Sequence, residues 1–172
     1  MPKLTHRVSP LNNLEQKALI EYHIRERIKR IQATIQITSI DYVMLAGAFV
    51  LTRSIAHFLG LRISKGRLCE DHNYFHHEDC KSWEVKLSDI DGGSFVQIAS
   101  LSAKHRSIIE DGFKETNLAF AHLTFWSDPA NQDSQGRSNA NYHREQVKKL
   151  RAFADTIIQL FYTQTVGLPK CS

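Results

Sequence analysis

Asn141-Tyr142-His143-Arg144-Glu145-Gln146-Val147-Lys148-Lys149-Leu150-Arg151-Ala152-Phe153-Ala154-Asp155-Thr156-Ile157-Ile158-Gln159-Leu160-Phe161-Tyr162-Thr163-Gln164 carries the clearest periodicity in the chain. Val147, Leu150, Ala154, Ile157 and Phe161 alternate spacings of three and four. At about 100° per residue they form one stripe on a helix. Such a stripe is the seam along which helices pack at shallow angles. Gly167-Leu168-Pro169 ends it, because proline cannot continue a helix and glycine suits its C-terminus.

Three further segments repeat the pattern. Upstream, 100–125 reads as a helix with Ile109, Phe113, Phe120 and Leu123 on its stripe; Gly112 inside it is tolerated at about 1 kcal/mol relative to alanine. Residues 13–35 place Ile20, Ile24, Ile28, Ile31 and Ile35 on one side and charges on the other, an amphipathic helix. Residues 39–60 begin at Thr38-Ser39-Ile40-Asp41, where a hydroxyl is expected to cap a backbone N–H and Asp41 to favour the positive end of the dipole. From Tyr42 to Leu51 this helix is apolar almost all round, which suits a central helix or one buried against a second subunit.

The stretch 61–99 does not follow a helical period. Trp83, Val85 and Leu87 alternate with polar residues, and Ser94-Phe95-Val96-Gln97-Ile98 follows Asp91-Gly92-Gly93; a loop or a short β-hairpin is expected here, lying against the helices. Ser127 to Ala140 reads as a polar loop. The fold class is therefore all-α, a four-helix up-down bundle with an insert between helices 2 and 3. At 172 residues the chain suits a single domain, 1–172.

A net charge of +4 is a mild basic bias, compatible with an anionic partner. On the first helix His23, Arg27 and Arg30 share a face that could contact phosphates. The uncharged run Tyr42 to Thr52 is too short to cross a bilayer and the N-terminus lacks an apolar signal segment. The expectation is a cytoplasmic protein with no membrane partner. Its three cysteines are expected to be reduced.

Two constellations carry chemistry. Cys69-Glu70-Asp71-His72-Asn73-Tyr74-Phe75-His76-His77-Glu78-Asp79-Cys80 contains Cys-x-x-His and His-x-x-Cys, the ligand types of tetrahedral zinc. Only four residues separate the pairs, which demands a very tight fold-back. Cys69, His72, His77 and Cys80 are thus a zinc candidate expected to bind no stoichiometric metal, and no other cofactor is expected. The second is Asp111-Gly112-Phe113-Lys114-Glu115-Thr116-Asn117-Leu118-Ala119-Phe120-Ala121-His122-Leu123-Thr124-Phe125-Trp126. Helical spacing puts Asp111, Glu115, Leu118 and His122 on nearly one face, so a carboxylate can orient an imidazole suited to acid–base work.

Four helices with Asn117 and an Ala121-His122-Leu123 ending resemble the HEPN superfamily, which includes abortive-infection and toxin ribonucleases. Its signature is an arginine, often followed by Asn or Asp, then a histidine after four to six residues. Asn117 matches the polar position and His122 the histidine; Thr116 stands where the arginine belongs and Lys114 is the nearest upstream cation. The resemblance implies a metal-independent endoribonuclease of a defence or toxin–antitoxin type, acting as a homodimer and countered by an antitoxin or other protein partner. In such enzymes arginine steadies the scissile phosphate while histidine moves a proton during attack by the ribose 2′-hydroxyl. The catalytic set would be His122, Asn117 and Glu115, and the RNA contacts Arg27, Arg30 and Lys114. Without the arginine, activity is expected to be degenerate, and Thr116→Arg to raise it if the cleft geometry is intact. Arg137 and His143 repeat the spacing and form a second-choice site. Arg53 and His57, one turn apart, are too close for the motif and suit a packed or interface role. The alternative is a non-enzymatic helical-bundle interaction protein, with or without a zinc-stabilised insert.

Overall fold

A computed structural model describes residues 12–38, 40–70, 86–90, 92–121 and 140–166, with the backbone alone at 89, 118–121 and 140. The described residues are mostly helical, with a small two-stranded antiparallel sheet. The first helical run comprises α1 (Asn13–Ala18), a π-helical segment (Leu19–Ile24) and α2 (Arg25–Gln36). Asn12 opens it with a capping box: its side chain accepts from the Leu14 and Glu15 amides, and Glu15 Oε2 accepts from the Asn12 amide at 2.8 Å. All five isoleucines of the expected stripe are buried.

Helix α3 (Tyr42–Phe58) starts later than its sequence suggested. Asp41, rather than a hydroxyl at 38 or 39, is the N-cap, and its Oδ1 accepts from Met44 N at 2.8 Å. Leu45, Ala48, Phe49, Thr52, Ile55, Ala56 and Phe58 are buried. The opposite side is open: Val43 is 83% exposed, and nothing lies within 4 Å of a Cβ built at Gly47.

The sheet follows α3 directly. β1 (Leu61–Ser64) pairs antiparallel with β2 (Arg67–Glu70), Leu61 opposite Glu70 and Ser64 opposite Arg67. The loop is Lys65-Gly66, both at positive φ (50° and 77°), the conformation of a two-residue hairpin turn that follows strand twist. The hairpin therefore lies within the expected insert but not on its expected residues. Leu87–Asp89 and Ile98–Ser100 are 3-10 turns, and Trp83 and Val85 lie outside the described residues. Leu87, Ile90, Val96 and Leu101 are all buried, at irregular spacings that plug the core instead of alternating across a strand. Carboxylates fasten the hairpin: Leu68 N donates to Glu110 Oε1 and Ile98 N to Glu70 Oε1, both at 2.8 Å.

Helices α4 (Ala103–Ala121) and α5 (Ala140–Gln164) complete the core. Leu150, Ala154, Ile157 and Phe161 are buried as the stripe required. Gly112 of α4 is demanded rather than tolerated, because a Cβ there would stand 2.2 Å from Cγ of Phe153 on α5. Arg151 on α5 caps the end of α2: Nε donates to the Ile35 carbonyl at 2.9 Å and Nη2 to that of Ile37 at 3.4 Å, a cation placed at the negative end of a helix. Among the described residues no helix is long and apolar enough to cross a membrane.

Candidate nucleic-acid interface

The outer side of α3 lies between α2 and α4, and its second half is polar. Arg53 is the one formally charged residue in Tyr42–Phe58. Its Nε donates to Nε2 of His57 at 3.1 Å, and its Nη1 donates to Oδ1 of Asn117 on α4. The guanidinium carbon sits 5.5 Å from the centroid of the Phe113 ring, and the His57 ring meets the same phenyl edge-on at 5.4 Å and 73°. Phe113 is 1% exposed, so these contacts rest on a fixed platform. An imidazole, an amide and a phenyl ring orient the arginine.

Ser54, the next residue, faces the other neighbour. Arg27 Nη1 on α2 donates to Ser54 Oγ at 3.2 Å, and Ser54 Oγ donates to the Leu51 carbonyl at 2.7 Å. On α4, Lys114 and Asn117 are both exposed and lie three residues apart, on one helical face. Arg27, Arg53 and Lys114 thus come from three adjacent helices around one surface. Arg30 is spent differently: its Nε lies 3.5 Å from Glu26, which also has Lys29 at 3.8 Å. The exposed Arg30 pair is of the kind that contributes little and is screened by salt.

The motif residues separate. Asn117 is exposed and carries Arg53, whereas Glu115 is buried and takes a short charged bond from Lys149 on α5. That pairing commits Glu115 to the α4–α5 contact. Thr116 is fully buried, donating to the Gly112 carbonyl at 2.7 Å and lying 3.5 Å from the Phe49 carbonyl. An arginine at 116 would enter the core, which reverses the expectation that Thr116→Arg raises activity. Arg53 brings a guanidinium to Asn117 from another helix instead.

His122 follows the last residue of α4 and lies outside the described residues, as do Arg137, His72, His77 and Cys80. His143 is described: its ring meets Tyr42 edge-on at 4.6 Å between the starts of α5 and α3, and burial pushes the Tyr42 phenol up. Cys69 lies on β2 with Sγ 3.5 Å from the Arg62 carbonyl oxygen.

The Arg53–Asn117 bond joins residues 64 apart, so no local motif could reveal it. The available signal was a single cation in an otherwise apolar helix with a histidine one turn later. No family model, curated protein or solved structure matches this chain.

Proposed function

We propose that this chain is a HEPN-like four-helix up-down bundle that binds RNA across α2, α3 and α4 and cleaves it without metal, in a defence or toxin–antitoxin setting. The observation that carries this reading is the guanidinium of Arg53 against Asn117. It gives the Asn117–His122 motif the phosphate-steadying charge that Thr116 fails to supply. Arg27 and Lys114 extend the positive surface to either side, where successive phosphates of a single strand would lie.

In the proposed reaction the ribose 2′-oxygen attacks the neighbouring phosphorus and the 5′-oxygen leaves. The products are a 2′,3′-cyclic phosphate and a 5′-hydroxyl end. The imidazole of His122 takes the proton of the 2′-hydroxyl, or delivers one to the leaving 5′-oxygen from a second copy's position. Arg53 balances the extra negative charge on the non-bridging oxygens. A homodimer accords with the open outer side of α3, where Val43 is 83% and Met44 38% exposed; light scattering at micromolar concentrations would show it as twice the chain mass.

The test is RNA cleavage in a chelating buffer by wild type, Arg53→Ala and His122→Ala. Each substitution is expected to lower the rate about 100-fold while the helical circular dichroism is kept. Equal turnover in all three would remove the enzymatic reading. Salt-sensitive RNA binding without cleavage would leave the non-enzymatic reading, which the commitment of Glu115 to Lys149 favours.

A further inference from the structure

The charge of Arg53 is useful only if it is held in one orientation, and the residue that holds its inner edge is His57. An arginine Nε–H can only donate, so the 3.1 Å bond to His57 Nε2 requires a lone pair on that nitrogen. The ring proton then resides on Nδ1 and the imidazole is neutral. Its Nδ1 is buried and its Nε2 is engaged by Arg53, so neither nitrogen faces an incoming phosphodiester. His57 is therefore not suited to move protons.

We propose that His57 is a positioning residue: as a neutral Nδ1–H tautomer it locks Arg53 onto Asn117 as the clamp for an RNA phosphate. The spacing of four residues on α3 brings imidazole and guanidinium together, and Phe113 fixes both against α4. The inference rests on the RNA-binding reading for its consequence, but the tautomer itself does not depend on RNA.

Protonation would undo the arrangement, since a cationic imidazole has no acceptor and would stand against a guanidinium. Among the described residues, the charged groups on the elements packed against this part of α3 include Glu110 and Lys114 on α4, Arg62 on β1 and Arg27 on α2, beside Arg53 itself. Phe58, the next residue, meets α5 through Phe161. Generic electrostatics would make a chain with nine histidines bind RNA more tightly as pH falls. Loss of the clamp makes it bind more weakly, and the opposite signs separate the two.

The experiment measures the affinity of the full chain for a short fluorescein-labelled oligouridylate from about pH 8 to about pH 5.5, across the ordinary histidine range. Wild type, Arg53→Ala, His57→Ala and His57→Gln are compared, with nitrogen-15 NMR of the imidazole in the free protein. His57→Ala should weaken binding about fivefold to tenfold at the upper pH, and add little to Arg53→Ala in the double variant. His57→Gln retains an acceptor oxygen and should restore most of the affinity while flattening the acid limb. NMR should show the Nδ1–H tautomer. An Nε2–H tautomer, or wild-type affinity in His57→Ala alongside a weakened Arg53→Ala, would overturn the role of His57 and leave the RNA reading intact. Unchanged affinity in both single variants, or no RNA binding by wild type, would overturn the RNA reading even where the tautomer is found.

Discussion

Restoring the family arginine within α4 should damage this protein. Thr116 has no exposed surface, and its hydroxyl lies between the Gly112 carbonyl at 2.7 Å and the Phe49 carbonyl at 3.5 Å. In Thr116→Arg the longer side chain overpacks the α3–α4 contact, at about 1–3 kcal/mol. Its charge is taken out of water, at several kcal/mol even after relaxation. The total of about 5 kcal/mol matches the lower end of the whole stability of an ordinary domain, about 5–15 kcal/mol. Thr116→Val keeps the shape and removes only the hydroxyl, at about 1 kcal/mol. Urea unfolding followed by far-ultraviolet circular dichroism separates the two. The valine variant should lower the midpoint by about 0.5 M, for a slope of about 2 kcal/mol per molar, and the arginine variant should lose its cooperative transition. An arginine variant that unfolds within about 1 kcal/mol of wild type would refute the placement of Thr116 in the core.

Gly112→Ala should destabilise by about 1–3 kcal/mol in the same assay, because the new methyl would meet the buried Phe153 ring at 2.2 Å. Arg151→Ala should cost about 1 kcal/mol and speed amide hydrogen exchange at the end of α2, whose Ile35 and Ile37 carbonyls it caps. Glu145 is held below the ordinary carboxylate range, first by its hydrogen bond from Lys148 and then by that residue's charge. A depressed folded-state value stabilises above the unfolded value and is lost as pH falls through the folded one. In Lys148→Ala the Glu145 titration followed by NMR should move up towards the unperturbed carboxylate.

The first and last helices were legible because each buries one stripe, and a stripe leaves a period in sequence whatever it packs against. The isoleucines from 20 to 35 are buried as expected, as is the seam of α5 from Leu150 to Phe161, with Val147 half-buried at its start. Helix ends were less so: Asp41 caps α3 although Thr38 and Ser39 offered hydroxyls nearby, because the choice depends on where the chain turns. The hairpin was misplaced because alternation at 83–87 outweighed Lys65-Gly66, a weaker turn signal than Asn-Gly. Gly112 read as a small cost, since its reason, Phe153, lies 41 positions away. At the candidate site the sequence named Asn117, Lys114 and Arg27 as parts. It also set Arg53 and His57 aside, because their link to Asn117 runs between helices. The assignment of Thr116 to the arginine position followed the motif's linear order; its burial follows from a helical face that linear order does not specify.

The most direct measurement is a nitrogen-15 NMR titration of the full chain with a short oligoribonucleotide at moderate salt. Shifts should concentrate on Arg53 to His57 of α3, Lys114 to Asn117 of α4 and Arg27 of α2, and fade in Arg53→Ala. Shifts confined to the charged outer side of α5 around Arg144, Lys148 and Asp155, or no shifts at all, would contradict RNA binding across α2, α3 and α4.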